Sequence, residues 1–543
     1  MSAIKQFVLF LITVTVACIA QAEPPRLVVQ VTVDQLRGDL LNRYRDHFID
    51  KRGEQGFIRF YEKGTRYTNA HFRHANTVTG AGHATLATGA LPSQHGIAAN
   101  DWYDVVTHHE VSCAEDPATT LIGASGTGAS PAMLTASTFS DELSMATGGQ
   151  AKVYSVSIKD RGAVFTGGHL GKSFWLNKSS GNMVTSSYYY DAAPAFLSAF
   201  NDSGLKDKWV GEAWGLVLPP GEYHNDAVNQ PFQSRPHGFE AGFPHRMPAQ
   251  AGADYYGLLS YTPFGDQLLA AFAKQLVEST DMGADDVTDY LAISFSTNDY
   301  IGHNFGPYSL EAEDNLVRLD RTLADLFAFL DKRIGMKHVL VVISADHGVD
   351  AIPEYKKLKG MPAVREDLRP AIASVAASLA KLYGTDARLI EHVGGSGIYL
   401  SEDAIAKAGL DKAAVARETA RLVSQIPGVA LAMTGAELTG RDLSYDPIKL
   451  KLQHAFVPGR SGDVMIVLEP STLVSPRPAA SHGTPWNYDT YVPLYFTGWK
   501  VKTGAISRRV SPEDIAVTLS SVLGIDSPDR ATGSVLGEIA DLH

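Results

Sequence analysis

The chain has 543 residues, and its 47 Lys and Arg against 59 Asp and Glu give a formal net charge of −12. Hydrophobic residues make up 45% and charged residues 20%, a globular composition that excludes a disordered acidic polymer. The negative charge argues against nucleic acid as a stable partner, because such binding needs a basic surface. A small anionic substrate is not excluded, because a local cationic site can act within a negative surface.

The N-terminus has the pattern of a secretory signal peptide over residues 1–22. Lys5 supplies the positive charge, an apolar run covers Phe7–Ile19, and Ala20–Gln21–Ala22 is a typical cleavage site. The apolar run is shorter than a membrane span requires. We therefore expect a mature chain that starts at Glu23, makes no membrane contact after cleavage and works in the periplasm.

Cleavage of the signal peptide decides how many of the two cysteines remain in the mature chain. Cys18 lies within the predicted signal peptide and is removed with it. The alternative is a lipidated Cys18, although Thr15 is a poor first residue for a lipoprotein signal. If Cys18 is removed, Cys113 is alone and the mature protein has no intrachain disulfide.

Four apolar, β-branched runs predict buried strands. They span Leu27–Val33, Val153–Ile158, Tyr290–Phe295 and His338–Ser344. Leucines at helical spacing predict a helix over Glu311–Asp331. Uniformly apolar strands that alternate with helices favour an α/β fold, with a doubly wound, mostly parallel sheet flanked by helices. Ligands of such sheets bind beyond the carboxyl ends of the strands, where polar residues follow these runs.

Three stretches, at about 101–145, 177–261 and 351–457, are predicted to be insertions. The first two are rich in Gly, Ser, Pro and aromatic residues and have weak periodicity. The third contains predicted helices of its own, such as Asp411–Ser424. We expect one catalytic domain over residues 23–543, with these insertions forming a cap above the strand ends.

Two pairs of residues are the first candidate metal ligands. Asp299 and His303 are four residues apart, and on a helical turn such a pair faces the same way. Asp346 and His347 follow the last strand run, and the permissive Gly348 after them allows both to turn inward.

Two further residues complete the set of candidate ligands. Asp34 ends the first strand run, and His482 lies in a loop. Together the six residues supply carboxylates and imidazoles for two mixed nitrogen and oxygen zinc sites with open positions. Each residue also has a structural alternative: Asp34 as a turn cap, Asp299 as a helix N-cap and His482 as an ordinary loop histidine. Their shared placement at strand ends favours the metal site.

Thr79 is the candidate nucleophile. The small residues around it in Asn76–Thr85 allow substrate and metals to approach the backbone, and the following residues predict a helix start. Thr79 would then lie at the positive end of a helix dipole. Bound to Zn²⁺, a threonine hydroxyl can lose its proton near neutral pH. The alternatives are that Thr79 is only an N-cap and that Thr77 is the nucleophile.

Lys159, Arg161 and Asn100 are the candidate phosphate ligands. Lys159 and Arg161 are two residues apart after a strand run, and in extended chain they would point the same way. Arg offers a bidentate fork to phosphate, and Lys a compact charge. Asn100 could add a neutral donor. A solvated basic turn and a turn-forming Asn are the alternatives. The segment Thr166–Ser173 nearly matches a phosphate-binding P-loop but lacks its first Gly, so we reject that motif.

The ordered set of these motifs resembles the alkaline phosphatase superfamily. It is most similar to the phosphate-irrepressible (PafA-type) periplasmic alkaline phosphatases, near the nucleotide pyrophosphatase/phosphodiesterase branch. The resemblance implies an alkaline phosphatase-like fold and two Zn²⁺ ions per chain. The ligands it implies are Asp299, His303 and His482 for one ion, and Asp34, Asp346, His347 and Thr79 for the other.

The resemblance also implies a reaction. Thr79 would form a phosphothreonine intermediate, while Asn100, Lys159 and Arg161 hold the phosphoryl oxygens. Two cations beyond the zincs favour a monoester dianion over a diester monoanion. We therefore expect a zinc-dependent phosphate monoester hydrolase that acts on small phosphate esters without requiring Mg²⁺. The alternatives are a phosphodiesterase or nucleotide pyrophosphatase, and a non-catalytic zinc- or phosphate-binding protein.

Overall fold

The computed structural model describes residues 23–48, 55–225, 230–236, 238–240, 242–395, 397–474 and 477–540. The predicted signal peptide and Cys18 lie outside these ranges. In the described chain, the two larger sheets contain eleven and four strands. Their strands are β1 Leu27–Val33, β2 Gly64–His71, β3 Glu115–Ile122, β4 Thr127–Ala129, β5 Val153–Ser157, β6 Lys172–Leu176, β7 Met183–Ser186, β8 Asp289–Phe295, β9 Val339–Ser344, β10 Ile390–Gly394, β11 Gly397–Leu400, β12 Val429–Thr434, β13 Val464–Leu468, β14 Tyr491–Gly498 and β15 Gly504–Ile506.

Smaller ladders and helices complete the architecture. The two-stranded ladders pair Asp101–Asp104 with His109–Ser112, Ala213–Trp214 with His245–Arg246, and Val364–Arg365 with Thr472–Leu473. The longer helices are α1 Thr79–Thr88, α2 Phe139–Ala146, α3 Asp160–Gly167, α4 Ala195–Asp202, α5 Pro263–Ser279, α6 Thr297–Phe305, α7 Leu310–Arg333, α8 Arg369–Tyr383, α9 Lys412–Val423, α10 Pro447–Ala455 and α11 Asp514–Leu523.

The large sheet has the strand order β15-β2-β14-β9-β1-β8-β5-β6-β7-β3-β4. Its central strands β9, β1, β8, β5 and β6 run parallel, and β14 adds an antiparallel strand beside β9. Thr32 of β1 lies opposite both Ser294 of β8 and Ser344 of β9. Because three parallel strands end at one level, the residues that follow them lie close together.

Both faces of the sheet are covered by helices. On β1, Leu27, Val29, Val31 and Val33 pack into one core with Leu268 of α5 and Leu316 of α7, whereas Val28 packs into another core with Leu86 of α1 and Leu519 of α11. This alternation is the period of a strand that is buried on both faces. The predicted α/β, doubly wound sheet is confirmed, and the four predicted strand runs agree with β1, β5, β8 and β9 to within one residue at each end.

The predicted insertions contain more regular structure than their sequences indicate. Within 101–145, β3 and β4 extend the large sheet rather than lying above it. The stretch 351–457 contributes α8, α9 and three strands of the four-stranded sheet, whose order is β10-β11-β13-β12. Strand β13 lies beyond the predicted boundary. The division into one catalytic domain with cap insertions stays a prediction.

Candidate active site

Three buried carboxylates lie at the carboxyl end of the central strands. Asp34 follows β1 directly, Asp346 follows β9 after one residue, and Asp299 lies in the first turn of α6, just after β8. This is the edge of the sheet at which ligands of doubly wound folds bind. The three carboxylates therefore lie close together at the strand ends, as the sequence predicts.

The carboxylates and the predicted histidines form two groups that could each hold a metal ion. One group contains Asp299, His303 and His482, and the other contains Asp34, Asp346 and His347; in each, the ligand atoms lie within 4.8 Å of one another. Asp299 and His303 share one face of α6, with His303 Nε2 3.2 Å from Asp299 Oδ1. The rings of His347 and His482 stack with centroids 3.5 Å apart, so the two groups adjoin.

The three imidazoles are oriented by the backbone. His303, His347 and His482 each have Nδ1 2.8 to 2.9 Å from a carbonyl oxygen, which favours the tautomer that carries its proton on Nδ1. In its neutral form each ring presents the lone pair of Nε2 to the site. Burial lowers the pKa of His303, but the neighbouring Asp299 outweighs burial and raises it. His303 Nε2 and His482 Nε2 are only 3.2 Å apart, and two lone pairs at this distance repel unless a proton or a metal ion lies between them.

The second group contains polar atoms without hydrogen bonds. Asp346 Oδ2 and His347 Nε2 are buried and form no hydrogen bond within the described part of the chain. Buried polar atoms are nearly always satisfied in native proteins. Carboxylate oxygens and imidazole nitrogens are ligands that zinc accepts, so the residues present fit a divalent ion.

Burial and mutual repulsion set the charge states of this group. Burial raises the pKa of Asp34, and the charges of Asp299 and Asp346 act in the same direction. Burial alone would raise the pKa of Asp346, but its interactions with His347, with His83 and with the cationic Lys159 outweigh burial and lower the pKa. Burial lowers the pKa of His347 to about 3, so this ring is neutral and available as a ligand near neutral pH.

Lys159 lies between the two groups and beside Thr79. Its Nζ is 2.6 Å from Asp34 Oδ2 and 2.6 Å from Asp299 Oδ2, and it donates a hydrogen bond to Thr79 Oγ1 at 3.2 Å. Burial opposes the charged form of Lys159, but the carboxylates of Asp299 and Asp34 outweigh it and raise the pKa. The buried ammonium therefore stays positive next to the candidate nucleophile.

Thr79 is the first residue of α1, as the sequence predicts, and the flanking N-cap is Val78. The alternative in which Thr79 serves only as the N-cap is therefore wrong. The hydroxyl of the rival Thr77 donates to the carbonyl of Thr484 at 2.8 Å and so is committed to the backbone.

Asn100 and Arg161 also lie beside the start of a helix. Asn100 Oδ1 accepts a hydrogen bond from the Gly80 N–H at 2.7 Å, which leaves its amide hydrogens as donors. The prediction that Lys159 and Arg161 share an extended segment is wrong, because Lys159 is the extended N-cap of α3 and Arg161 lies in its first turn. The helix start brings Arg161 near Tyr300 and Asp34, and its buried Nε has no hydrogen bond within the described residues.

Two glycines allow the backbone to approach the ligands. A Cβ on Gly82 would lie 2.0 Å from the carbonyl oxygen of Asp346, so α1 packs directly against the Asp346 backbone. A Cβ on Gly348 would lie 2.2 Å from the carbonyl oxygen of Tyr488. We expected Gly348 for its conformational freedom, but its φ is not positive, and lack of space is the reason for glycine.

Three residues near the site were not predicted. Gln35 has φ of 65° and donates from Nε2 to Asp299 Oδ1 at 2.7 Å. His83 lies 3.3 Å from Asp346 Oδ2 and bonds to Ser294. The ring of Tyr300 lies 5.2 Å from Lys159 Nζ. His83 follows Thr79 by one helical turn, a spacing that could have identified it.

Two cavities border the site. One, of about 780 Å³, is bounded by His482 and by apolar side chains that include Ile372, Ile390 and Ile466. The other, of about 960 Å³, is an open groove bounded by His303, Tyr300, Tyr261 and Lys178. Each cavity therefore touches a histidine of the Asp299 group.

Known proteins share this fold and chain length. The chain is 33% identical over 524 residues to alkaline phosphatase PafA of Elizabethkingia meningoseptica, covering 95% of this chain and 94% of that protein. It is 32% identical to alkaline phosphatase PhoV of Synechococcus elongatus, covering 95% and 93%. The crystal structure of wild-type PafA matches with a TM-score of 0.88 and 32% identity, over 95% of this chain and 99% of that one.

These matches define an enzyme of the alkaline phosphatase superfamily, as the ordered motifs predict. Within it, the family model for type I phosphodiesterases and nucleotide pyrophosphatases matches residues 28–488, and the chain belongs to that family. The predicted superfamily and phosphatase class of enzyme are confirmed. The metal identities and the roles of Thr79, Asn100, Lys159 and Arg161 stay predictions.

Among the described residues, none of the helices combines the length and apolar character that a membrane crossing requires.

Proposed function

We propose that the protein is a zinc-dependent phosphate monoester hydrolase, an alkaline phosphatase that forms a phosphothreonine intermediate on Thr79. The observation that carries the proposal is the position of Lys159 Nζ, which contacts Thr79 Oγ1 and one carboxylate of each candidate metal group. A nucleophile, a cation and two metal groups in one place suit phosphoryl transfer, which depends on positioning and charge stabilisation. Relatives named as alkaline phosphatases, similar over nearly the whole chain, support the same activity.

Two zinc ions fit the ligand sets. Asp299, His303 and His482 would hold one ion, and Asp34, Asp346 and His347 the other, with Thr79 completing the second set. When bound, zinc would lower the pKa of the hydroxyl and of the attacking water, and would stabilise the departing oxygen. The support comes from the backbone hydrogen bonds at Nδ1, which leave Nε2 of the three imidazoles to the site, and from the buried His347 Nε2, which has no hydrogen bond within the described residues.

The chain's own residues would carry the two displacements. Thr79 Oγ1 attacks phosphorus and loses its proton, while the bond from phosphorus to the ester oxygen breaks and the alcohol departs. Water then attacks the phosphothreonine, the Oγ1–P bond breaks, and inorganic phosphate leaves. The amide hydrogens of Asn100, the ammonium of Lys159 and the guanidinium of Arg161 would hold the phosphoryl oxygens. The positive ends of α1 and α3 add to this field.

We also propose that the enzyme works outside the cytoplasm. The support is the predicted signal peptide over residues 1–22, after which one catalytic domain with cap insertions would act in the periplasm. Its partners would be small phosphate esters, without nucleic acid as a stable partner.

A phosphodiesterase is the second candidate. The matching family carries the name of type I phosphodiesterases, and the apolar cavity beside His482 could hold the second substituent of a diester. The buried cation Lys159 argues for the more highly charged monoester.

The nucleophile is tested by comparing Thr79→Ala with Thr77→Ala. We expect Thr79→Ala to lose hydrolysis of p-nitrophenyl phosphate by on the order of 10³-fold or more while zinc content is unchanged. Thr77→Ala removes the rival hydroxyl and should still yield acid-stable phosphate on the Thr79 peptide after quenching. Phosphate on Thr77, or full activity of Thr79→Ala, would contradict the proposal. A wild-type protein that binds zinc and hydrolyses nothing would favour the non-catalytic alternative.

A further inference from the structure

A second cluster of metal-type side chains lies away from the candidate active site. The Asp46 cluster consists of Asp46, His47 and His224, whose ligand atoms lie within 4.8 Å of one another. His224 Nε2 is 3.0 Å from each oxygen of Asp46, and the two imidazole rings have centroids 4.7 Å apart in an edge-on arrangement. The sequence motifs did not identify these residues, because Asp46 and His224 are 178 positions apart.

A buried carboxylate stands behind this cluster. Glu313 in the first turn of α7 is fully buried, and its Oε1 is 2.7 Å from His47 Nε2. The same carboxylate accepts hydrogen bonds from the backbone N–H groups of His224 and Asn225. A histidine that ligates a metal usually donates its other ring N–H to a carboxylate or carbonyl, and Glu313 supplies that arrangement for His47. With Nε2 engaged, Nδ1 is the atom that His47 can offer.

The charge around the cluster favours a cation. Asp46 and Glu313 bring two negative charges, and in the described ranges neither forms an ion pair with Lys or Arg. The nearby cation Arg43 instead donates to Asn225 Oδ1 at 3.3 Å. Asp46 and His224 are exposed whereas the side chain of His47 is only 5% exposed, so an ion could enter from the side of Asp46 and His224 and keep water ligands there.

We propose that the Asp46 cluster binds a divalent transition-metal ion, with zinc as the natural occupant. The ligand set of two imidazoles and a carboxylate matches the mixed nitrogen and oxygen sites of Zn²⁺ and is poor for Ca²⁺ or Mg²⁺, which take oxygen ligands. The ion would tie the segment at Asp46 to the segment at His224, both of which already contact Glu313 on α7. It lies outside the two candidate catalytic groups and does not depend on them.

A pair of one histidine and one carboxylate elsewhere on the surface provides a control for the Asp46 cluster. His108 Nδ1 is 2.8 Å from Glu391, so an exposed histidine pairs here with a half-buried carboxylate, as His224 pairs with the more exposed Asp46. Within the described chain, the pair at His108 belongs to no group of three metal-type ligands. His108→Gln is therefore a matched control for His224→Gln: each variant removes one surface imidazole beside a carboxylate.

The test is zinc content. The purified mature protein and the variants His224→Gln, Asp46→Asn and His108→Gln are equilibrated with zinc, freed of excess by gel filtration, and analysed for zinc per chain by mass spectrometry. We expect wild type and His108→Gln to retain one more zinc than His224→Gln and Asp46→Asn. Equal zinc in all four proteins, or an equal loss in His108→Gln, would overturn the proposal.

A second readout separates this proposal from the proposed function. Hydrolysis of p-nitrophenyl phosphate should stay within about twofold across the four proteins, because the cluster is not part of the catalytic site. The difference in zinc ions per chain between wild type and His224→Gln reports the ion at the Asp46 cluster alone, even if the candidate catalytic groups bind no zinc. Competition with a zinc chelator ranks the four proteins by their affinity for zinc, in which each tenfold change corresponds to about 1.4 kcal/mol.

Discussion

The ammonium of Lys159 pairs with two carboxylates that belong to different candidate metal groups. Asp34 and Asp299 are both buried, and each places an oxygen 2.6 Å from Lys159 Nζ. Without metal ions, Lys159 is a principal source of positive charge for these carboxylates. With ions bound, the carboxylates would gain other partners, and Lys159 would become available to the substrate. The same side chain would therefore contribute differently to stability in the metal-free and the metal-bound protein.

This difference is measurable with Lys159→Met. In the metal-free protein the substitution leaves two buried carboxylates without their cation, and we expect it to lower the free energy of unfolding by about 3–5 kcal/mol. With zinc bound the loss should be much smaller. Urea unfolding in chelator and in zinc measures both values.

Lys178→Met is the control for this substitution. Lys178 is exposed and its Nζ donates to the Tyr300 hydroxyl at 2.8 Å, so its removal should cost roughly 1 kcal/mol in either condition. The same loss for Lys159→Met with and without zinc would contradict the proposed exchange of partners.

The sequence predicts the chemistry of the site better than its fine geometry. Asp299 and His303 lie on one helical face because a spacing of four is a local property of helices. Gln35 could not be predicted, because its φ of 65° and its bond to Asp299 depend on residues 264 positions apart. Lys159 and Arg161 were correctly expected near the site, but their backbone begins a helix rather than continuing a strand.

The packing of α1 against the end of β9 connects helix geometry to the site. Thr79 begins α1, and one turn later Gly82 touches the backbone of Asp346, where a Cβ would lie 2.0 Å from the carbonyl oxygen. Interior glycine costs a helix stability, so its presence at this position indicates a need for close approach. The contact sets the distance between the candidate nucleophile and a candidate metal ligand.

Gly82→Ala should therefore damage activity more than a helical glycine substitution normally does. The added methyl forces α1 away from Asp346, and we expect kcat/KM for a phosphate monoester to fall by on the order of 10²-fold. Gly440→Ala is the control, because Gly440 lies in the short helix Gly435–Gly440 with no atom near an added Cβ and borders neither of the two cavities. That variant should keep full activity and gain up to about 1 kcal/mol of stability. Similar kinetics for both variants would show that the close approach is unimportant.

The predicted insertions contain strands that the hydrophobic periodicity of the sequence does not indicate. The weak periodicity of 101–145 did not indicate strands, yet β3 pairs with β7 and with β4 at the edge of the large sheet. Strand β3 has eight residues, and all but one of them are at least partly exposed. Its pairing depends on distant partners, and local hydrophobic alternation does not reveal it. By contrast, the apolar runs of β1, β5, β8 and β9 are buried on both faces, and their sequences reveal them.

The two candidate metal groups join segments from the whole length of the chain. Asp34, Asp299, Asp346 and His482 come from four separate regions that meet at the strand ends. Ligands that bind only the folded state stabilise it by mass action. Metal binding should therefore contribute to the stability of the entire domain.

Removal of metal should lower the melting temperature as well as activity. At a free zinc concentration of 1,000 times the dissociation constant, one site adds about 4 kcal/mol to the free energy of unfolding. Calorimetric scans before and after chelation, followed by zinc readdition, measure the loss and its recovery. A melting temperature that chelation leaves unchanged, while zinc is lost, would contradict this coupling.

The most direct test of the proposed function is paired turnover of p-nitrophenyl phosphate and bis-p-nitrophenyl phosphate by the purified mature protein. Zinc per chain is determined on the same sample. We predict at least two zinc ions and a kcat/KM that strongly favours the monoester, because Lys159 and Arg161 add two positive charges for a dianion. A preference for the diester would contradict the monoesterase and establish the phosphodiesterase alternative.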